Sequence, residues 1–402
     1  MKPIQVPELL APAGDRERLD AALLYGADAV YLGGQEFGMR AAPSNFSEEG
    51  LVEAVRDCHE KGVRVHLTVN TLPRNEEIDA LPQFLSSAKD AGVDAFIIAD
   101  VGVMKLAQKY APGVDIHMST QAGVVNYLTA NTLYDMGAKR VVMARECSLE
   151  EIAEVRAKTP KDLEIEAFVH GAMCMSVSGR CLLSNYMTGR DGNRGECAQP
   201  CRWKYALMEE KRPGQYFEIS EDGGTFIMNS QDLNMIEHLQ ELADAGVSSF
   251  KIEGRTKSAY YTAVVTNAYR HAIDAIAERN PVPERWIRET EQVSHRPYCT
   301  GFYLGEPSQV TEGPLYFSGA DVMAVVESCD ENGNAILTQR NKFSRGDTLE
   351  LLTPEGEPVS FTVERLFNTY GEEIEDARHA MMEVHMHLPK AASRLSILRK
   401  RR

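Results

Sequence analysis

The sequence lacks the features of a membrane or secreted protein. It contains no run of about 18 apolar residues, so no transmembrane helix and no membrane partner are expected. Its first residues include no long apolar core followed by a cleavage site, so we expect a protein of the reducing cytoplasm. Basic residues are outnumbered, with 43 Lys and Arg against 59 Asp and Glu. The net charge of −16 argues against a surface that coats nucleic acids in general.

Common enzyme motifs are missing as well. The sequence has no H-E-x-x-H, no G-x-S-x-G and no G-x-x-x-x-G-K-[ST], which leaves out the usual zinc peptidases, α/β-hydrolases and P-loop proteins. No G-x-G-x-x-G follows the first predicted strand, and this weakens the case for a dinucleotide-binding fold.

A repeated unit occupies the first two thirds of the chain. In each copy a helical stretch ends at a glycine, and a short polar step leads into an apolar run; these glycines are Gly26, Gly62, Gly92, Gly137 and Gly246. This order is typical of helices that alternate with the strands of a parallel sheet. The predicted strands are Pro7–Ala11, Ala29–Gly33, Arg64–Val69, Ala95–Ala99, Asp115–Ser119, Arg140–Ala144, Glu164–Val169 and Ser248–Ile252. Eight parallel strands predict a (β/α)8 TIM-like barrel, with a doubly wound open sheet as the alternative.

The chain divides into three parts. Residues 1–290 form the predicted barrel, whose last helix is expected at Ser258–Glu278. The Cys-rich insertion, residues 174–228, separates the seventh and eighth strands at the end of a barrel where function is usually built. Residues 291–317 connect to residues 318–402, where short β-like runs and the turn signal Asn332-Gly333 predict a small antiparallel β-barrel. The basic run at residues 399–402 is expected to be a solvated tail.

Four of the eight cysteines lie within 28 residues, at Cys174, Cys181, Cys197 and Cys201. Clustered thiols in a reducing compartment are more often metal ligands or catalysts than disulfides. The six-residue first gap fits the tight pairs of a structural zinc site poorly, whereas a cluster accepts looser spacing because each iron takes one thiolate. An iron–sulfur cluster is therefore the favoured interpretation, and zinc, redox thiols and unligated buried thiols remain alternatives.

Polar residues follow the predicted strands, where barrel active sites form. The candidates for binding a substrate carboxylate or phosphate are Arg40, Arg145, Lys251, Glu253 and Arg255. Arginine suits this role because its guanidinium binds such groups through two parallel hydrogen bonds. Glu146 and His170 are candidates for proton transfer. The alternatives are salt bridges at strand ends and a structural histidine.

Three separated motifs resemble those of the peptidase U32 family, the collagenase-like peptidases. They are Glu8-Leu-Leu-Ala-Pro-Ala-Gly14, Glu166-Ala-Phe-Val-His-Gly-Ala-Met-Cys174 with Ser178-Gly-Arg-Cys-Leu-Leu-Ser184, and Lys251-Ile-Glu-Gly-Arg-x-Lys-Ser-x-Tyr-Tyr261. The family takes its name from a collagen-degrading activity. Other members serve the hydroxylation of tRNA wobble uridine, of a ribosomal RNA cytidine and of ubiquinone. The segment Gly195-x-Cys197-x-x-x-Cys201-Arg-Trp203 is most similar to the tRNA branch.

The resemblance implies an enzyme of RNA modification that installs 5-hydroxyuridine in tRNA. It implies a [4Fe–4S] cluster on the four cysteines, a prephenate-like dicarboxylate as hydroxyl donor and a possible separate electron donor. Arg202 and Trp203 are then candidate RNA contacts, by charge and by stacking. A collagenase-like peptidase, metal-dependent or thiol-based, is one alternative. A non-catalytic scaffold held by zinc is the other.

Overall fold

The structure is a computed structural model of the 402-residue chain. It describes residues 6–38, 45–174, 176–177, 180–203, 207–208, 211, 213–214, 216–217, 230–307 and 316–402. Within these ranges, no helix combines the length and the apolar character needed to cross a bilayer.

Eight parallel strands form a closed barrel. They are β1 Glu8–Pro12, β2 Ala29–Gly33, β3 Arg64–Val69, β4 Ala95–Ile98, β5 Asp115–Met118, β6 Arg140–Val142, β7 Glu164–Ala172 and, after three short strands named below, β11 Ser249–Ile252. Neighbours pair in this order, and β11 pairs with both β7 and β1, which closes the sheet. The predicted barrel is confirmed and the open sheet is not. The predicted ends agree within two residues, except that β7 continues three residues further.

Helices surround the barrel. They are α1 Arg16–Leu24, α2 Glu48–Glu60, α3 Leu81–Asp90, α4 Val101–Tyr110, α5 Tyr127–Asp135, α6 Leu149–Ala157, α7 Leu183–Thr188 of the insertion, α8 Leu239–Asp244, α9 Ala259–Ala277 and α10 Glu284–Glu289. The five glycines of the repeated unit have φ between 71° and 104°, the left-handed conformation that ends a helix. Ser258 caps α9 by accepting the Tyr261 backbone N–H, as the predicted start of this helix requires.

The interior of the barrel contains a polar layer. It consists of the buried side chains Glu8, His66, His117, Arg140, Glu166 and Ser249. Arg140 pairs with Glu8 at 2.7 Å, with Glu166 at 2.9 Å and with Glu164 at 2.6 Å. Five of these six positions, all but Glu8, lie two residues before side chains that line the cavity described below. Since side chains two apart on a strand share a face, the layer lies directly beneath the strand-end residues that form the floor of that cavity.

The chain between β7 and β11 adds β8 Leu207–Met208, β9 Tyr216–Phe217 and β10 Asp232–Asn234. Strand β10 pairs antiparallel with the extended end of β7, and β12 Tyr298–Cys299 joins it from the connecting segment. The Cys-rich insertion therefore starts at the carboxyl end of the barrel, where it was predicted.

Residues 316–402 form a curled antiparallel sheet against the side of the barrel. Its strands are β13 Ala320–Cys329, β14 Asn334–Gln339, β16 Thr348–Leu352, β17 Val359–Thr362, β18 Leu366–Phe367, β19 Glu373–Ile374, β21 Glu383–His387 and β22 Ile397–Arg401. A separate pair joins β15 Phe343–Ser344 and β20 Asp376–Ala377. The hairpin predicted at Asn332-Gly333 is confirmed, because it joins the antiparallel strands β13 and β14.

The prediction of a solvated basic tail is wrong for Arg399, which is buried in a strand, whereas Lys400, Arg401 and Arg402 are exposed to solvent. Residues 397–401 are strand β22, which lies between β13 and β16. Arg399 is fully buried and donates to both carboxylate oxygens of Glu289, at 2.8 and 2.7 Å, and to Glu350 at 2.9 Å. The other three basic residues of the run each pair with a carboxylate. Their charges are thus neutralised within the protein, and Arg399 connects the two domains.

Candidate active site at the mouth of the barrel

A cavity of about 450 Å³ opens at the carboxyl ends of the barrel strands. Strand-end residues form its floor and one wall, and the insertion forms the other wall. The predicted site residues that line it are Cys174, Cys181, Cys197, Cys201, Arg145, Glu146, Lys251, Glu253 and Arg255. The structure therefore brings together nine of the residues that the sequence singled out. Arg40 lies outside the described residues.

Three of the four cysteines share a local hydrogen bond. Cys174, Cys181 and Cys197 each accept the backbone N–H of the residue two positions further on, with N···Sγ distances of 3.5, 3.3 and 3.4 Å. Hydrogen bonds to sulfur adjust the potentials of iron–sulfur clusters. Cys299, which does not line the cavity, accepts the same kind of N–H at 3.4 Å, so this contact alone does not mark a ligand.

The fourth cysteine lies within electrostatic range of the other three. Burial raises the pKa of the Cys201 thiol, the adjacent Arg202 lowers it, and Cys174, Cys197 and Cys181 each raise it further. Among the described side chains, no three of His, Cys, Asp and Glu form a group that could hold a metal ion. The donor chemistry, four thiols around one cavity, fits a cofactor that is attached at four sulfurs.

Three cationic side chains face the same cavity. Arg145 donates to the Ala172 carbonyl at 2.9 Å and to Glu253 at 3.2 Å, and its guanidinium lies 3.9 Å from the centre of the Phe168 ring. The Nζ of Lys251 is 2.8 Å from the buried carboxylate of Glu166. Arg145 therefore forms a strand-end salt bridge with Glu253, as the alternative interpretation expected, and it also lines the cavity.

Arg255 lies where two glycines leave room for it. Its Nη1 donates to Thr68 at 2.9 Å. A Cβ on Gly33 would stand 2.4 Å from that Nη1, and a Cβ on Gly14 would stand 2.0 Å from the Arg255 carbonyl oxygen. Any side chain at these two positions would displace the arginine, which accounts for the glycines at the ends of β1 and β2.

His170 is placed away from the cavity. Its buried ring packs among three tyrosines, with Nδ1 3.3 Å from the Tyr269 hydroxyl and Nε2 3.4 Å from the Tyr298 hydroxyl. The alternation of β7 turns Glu166 and Phe168 inward and would turn His170 inward too. A bulge shifts the pairing so that His170 stands opposite Ile252, which turns its side chain towards α9. This placement gives no support to a catalytic role.

Burial lowers the pKa of His170 to about 3, below its usual value of about 6.5. Between pH 6.5 and pH 3, His170 is therefore protonated in the unfolded chain but neutral in the folded protein. The free energy of unfolding consequently decreases as the pH falls through this range. His170→Phe has no titrating ring, so we expect its free energy of unfolding to fall less steeply with decreasing pH than that of wild type, by about 1.4 kcal/mol per pH unit. Urea unfolding of both proteins at pH 5 and pH 7 measures the difference. Equal pH dependence in the two proteins would contradict this assignment.

Two arginines attach the insertion to the barrel rim. Arg194 donates to both carboxylate oxygens of Glu77, at 2.8 and 2.5 Å, and this contact lowers the pKa of Glu77 to about 2. Arg180 donates to the Gln121 carbonyl at 3.0 Å. The predicted RNA contacts Arg202 and Trp203 follow the last cysteine; Trp203 is exposed to solvent and Arg202 is half-buried. Phe168 and Tyr31 also line the cavity, although they were not among the predicted site residues; Phe168 lies two residues after the inward-facing Glu166 on β7, and this alternation was the available signal.

Comparison with known proteins decides the family. The model of "Peptidase family U32" matches residues 14–313, and that of "Peptidase family U32 C-terminal domain" matches residues 318–399. The chain belongs to peptidase family U32. The resemblance drawn from the three motifs is confirmed.

This U32 chain is similar to proteins with two kinds of name. It is 38% identical to the "tRNA hydroxylation protein P1" of Bacillus subtilis, over 98% of this chain and 94% of that protein. It is 38% identical to the "tRNA hydroxylation protein P" of Escherichia coli, over 91% of this chain and 90% of that protein. It is also 36% identical to the "Collagenase" of Porphyromonas gingivalis, over 74% of each chain.

Proposed function

We propose that this protein is an enzyme of tRNA modification that supports the 5-hydroxylation of a uridine. A [4Fe–4S] cluster on Cys174, Cys181, Cys197 and Cys201 and a prephenate-like hydroxyl donor belong to the proposal. The observation that carries it is that four thiols and three cationic side chains line one cavity. Relatives that are named for tRNA hydroxylation and align over nearly the whole chain support it.

The cationic side chains of the cavity support a donor with two carboxylates. Arg145, Lys251 and Arg255 face a cavity whose lining includes only two carboxylates, Glu146 and Glu253. The Nε of Arg145 is buried and has no hydrogen-bond partner among the described residues. A small molecule with two carboxylates would supply acceptors to these groups, and 450 Å³ lies in the range of small-molecule sites.

The remaining groups bear on chemistry at the bound donor. A cluster on the four cysteines would supply one-electron transfer beside the cavity. Glu146 lines the cavity and is our candidate for moving a proton to or from the donor. Phe168 and Tyr31 form apolar walls that exclude water and strengthen the binding of carboxylates by the three cations.

Calorimetry tests the donor half of the proposal. We expect prephenate to bind the anaerobically purified protein, and Arg145→Ala to weaken binding about 10- to 100-fold, because a hydrogen bond to a charged group is worth about 1.5–3 kcal/mol. Arg365→Ala, in the C-terminal domain, is the matched control and should bind like wild type. The donor assignment fails if wild type releases or absorbs no heat on titration with prephenate, or if Arg145→Ala binds prephenate as tightly as wild type.

The similarity to a protein named collagenase supports peptidase activity as a second candidate. A thiol peptidase needs a histidine beside its nucleophile. His170 is the histidine nearest to the cysteines in sequence, but its ring nitrogens face two tyrosine hydroxyls. The site geometry therefore favours hydroxylation.

A bacterial deletion strain distinguishes tRNA hydroxylation from peptidase activity. The chain is expressed in bacteria deleted for their own U32 tRNA hydroxylation proteins, and tRNA nucleosides are measured by mass spectrometry. We expect restored 5-hydroxyuridine, and no turnover of gelatin by the purified protein. Unmodified tRNA together with gelatin turnover would replace hydroxylation by proteolysis.

A further inference from the structure

The outer face of the insertion exposes apolar and aromatic side chains beside the cavity. Leu182 and Tyr186 lie one helical turn apart at α7 and are 76% and 86% exposed. Trp203 is 41% exposed and follows the short helical turn Pro200–Arg202, which contacts α7. We call Leu182, Tyr186, Arg190, Arg202 and Trp203 the outer patch.

The opposite face of α7 is fixed to the protein. On that face the buried Ser184 accepts the Ala198 backbone N–H at 2.9 Å, and Leu183, between this face and the exposed one, lines the cavity. The helix is therefore held with one side on the cysteines and the other in solvent. Tyr186 lies two residues after Ser184, about 200° further around the helix, so it points away from this buried contact.

The charge of this region differs from that of the chain. Residues 180–203 contain four arginines and two acidic residues, whereas the whole chain has a net charge of −16. Arg180 and Arg194 are attached to the barrel, as described above. In the outer patch, Arg190 is exposed, whereas Arg202 is half-buried and its Nη1 donates to the Gln199 side-chain oxygen at 2.9 Å. The region is thus locally cationic around an exposed tyrosine, which suits a polyanion with flat apolar groups.

We propose that the outer patch binds a single-stranded loop of the RNA substrate, with an unpaired base stacked on Tyr186 and backbone phosphates at Arg190 and Arg202. The inference rests on the proposed function, since a base that enters the cavity must first leave its stack. A neighbouring base then loses its stacking partner, and an exposed aromatic ring at the cavity rim replaces it.

Fluorescence anisotropy with a labelled tRNA anticodon stem-loop tests the stacking. Tyr186→Ala in the anaerobically purified protein should weaken binding about 5- to 150-fold, because stacking on an aromatic ring is worth about 1–3 kcal/mol per base. Tyr186→Phe keeps the ring and should bind within about twofold of wild type. Tyr370→Ala is the matched control, because Tyr370 is also 86% exposed but stands next to Glu372 and Glu373 in the other domain.

Salt dependence tests the phosphate contacts. Arg190→Gln and Arg202→Gln should each reduce the slope of log K against log salt by about 0.7, the value for one phosphate of a single strand. Tyr186→Ala should leave that slope unchanged, because stacking releases no counterions. Slopes that match wild type in both arginine variants would overturn the phosphate contacts.

The proposal fails if wild type does not bind the stem-loop, or if Tyr186→Ala binds as tightly as wild type. It also fails if Tyr370→Ala weakens binding to the same degree. A Tyr186→Ala variant that binds RNA normally but no longer restores 5-hydroxyuridine would assign the outer patch to a protein partner instead. Restoration of 5-hydroxyuridine by wild type is scored separately, so the proposed function can stand while this surface is rejected.

Discussion

Cys197→Ala is expected to reduce 5-hydroxyuridine to the level of an empty vector in the complemented deletion strain. The substitution removes one of four thiols that line the same cavity, and a [4Fe–4S] cluster needs a thiolate for each iron. The loss should be complete because the cluster is proposed to act in the reaction. Nucleoside mass spectrometry of the extracted tRNA measures it.

Cys329→Ala is the matched control for this loss. Cys329 is also partly exposed, but it lies at the end of β13 in the C-terminal domain. We expect wild-type levels of 5-hydroxyuridine with this variant. Full modification in the Cys197→Ala strain, at equal protein level, would mean that the cluster ligands have been assigned wrongly.

Arg140→Met is expected to lower the free energy of unfolding by about 3–5 kcal/mol, the usual cost of removing one partner of a buried ion pair. Arg140 is 1% exposed and is shared by Glu8, Glu164 and Glu166. Methionine fills similar space but leaves the carboxylates of Glu8 and Glu166 with less positive charge around them. Urea unfolding at pH 7 measures the change.

The pH dependence of this loss checks its cause. Burial raises the pKa of Glu166, but Lys251 and Arg140 outweigh that effect and hold it below its usual value. A lowered carboxylate pKa stabilises the fold above the pKa of the unfolded chain, and this stabilisation is lost as the pH falls. The deficit of Arg140→Met should therefore shrink at acidic pH.

Arg56→Met provides the control at the surface. Arg56 is exposed and pairs with Asp57 at 2.8 Å, and such pairs contribute about 0–1 kcal/mol. A deficit for Arg140→Met as small as that of Arg56→Met would show that the polar floor of the barrel contributes little to stability.

Much of the fold was accessible from sequence because local signals and tertiary structure agree. A glycine at the end of each helix and a short apolar run after it fix where each strand begins. The basic run at residues 399–402 was misread for the opposite reason, since its partners Glu289 and Glu350 are distant in sequence. Charge alone could not distinguish a solvated tail from a strand that buries one of its arginines.

In the candidate site too, local sequence signals were readable and contacts between distant residues were not. The carboxyl ends of parallel strands meet at one end of a barrel, so Arg145, Lys251 and Arg255 could be placed together from sequence. The orientation of His170 could not, because it depends on a bulge in the pairing of β7 with β11. The attachment of the insertion through Arg194 and Glu77 spans more than a hundred residues and left no local signal.

The central claim is that the four cysteines hold one iron–sulfur cluster at the mouth of the barrel. Iron and acid-labile sulfide in the anaerobically purified wild-type protein test it most directly. We predict about four irons and four sulfides per chain, with a brown colour. One zinc per chain without sulfide would contradict the account and support a zinc-held scaffold instead.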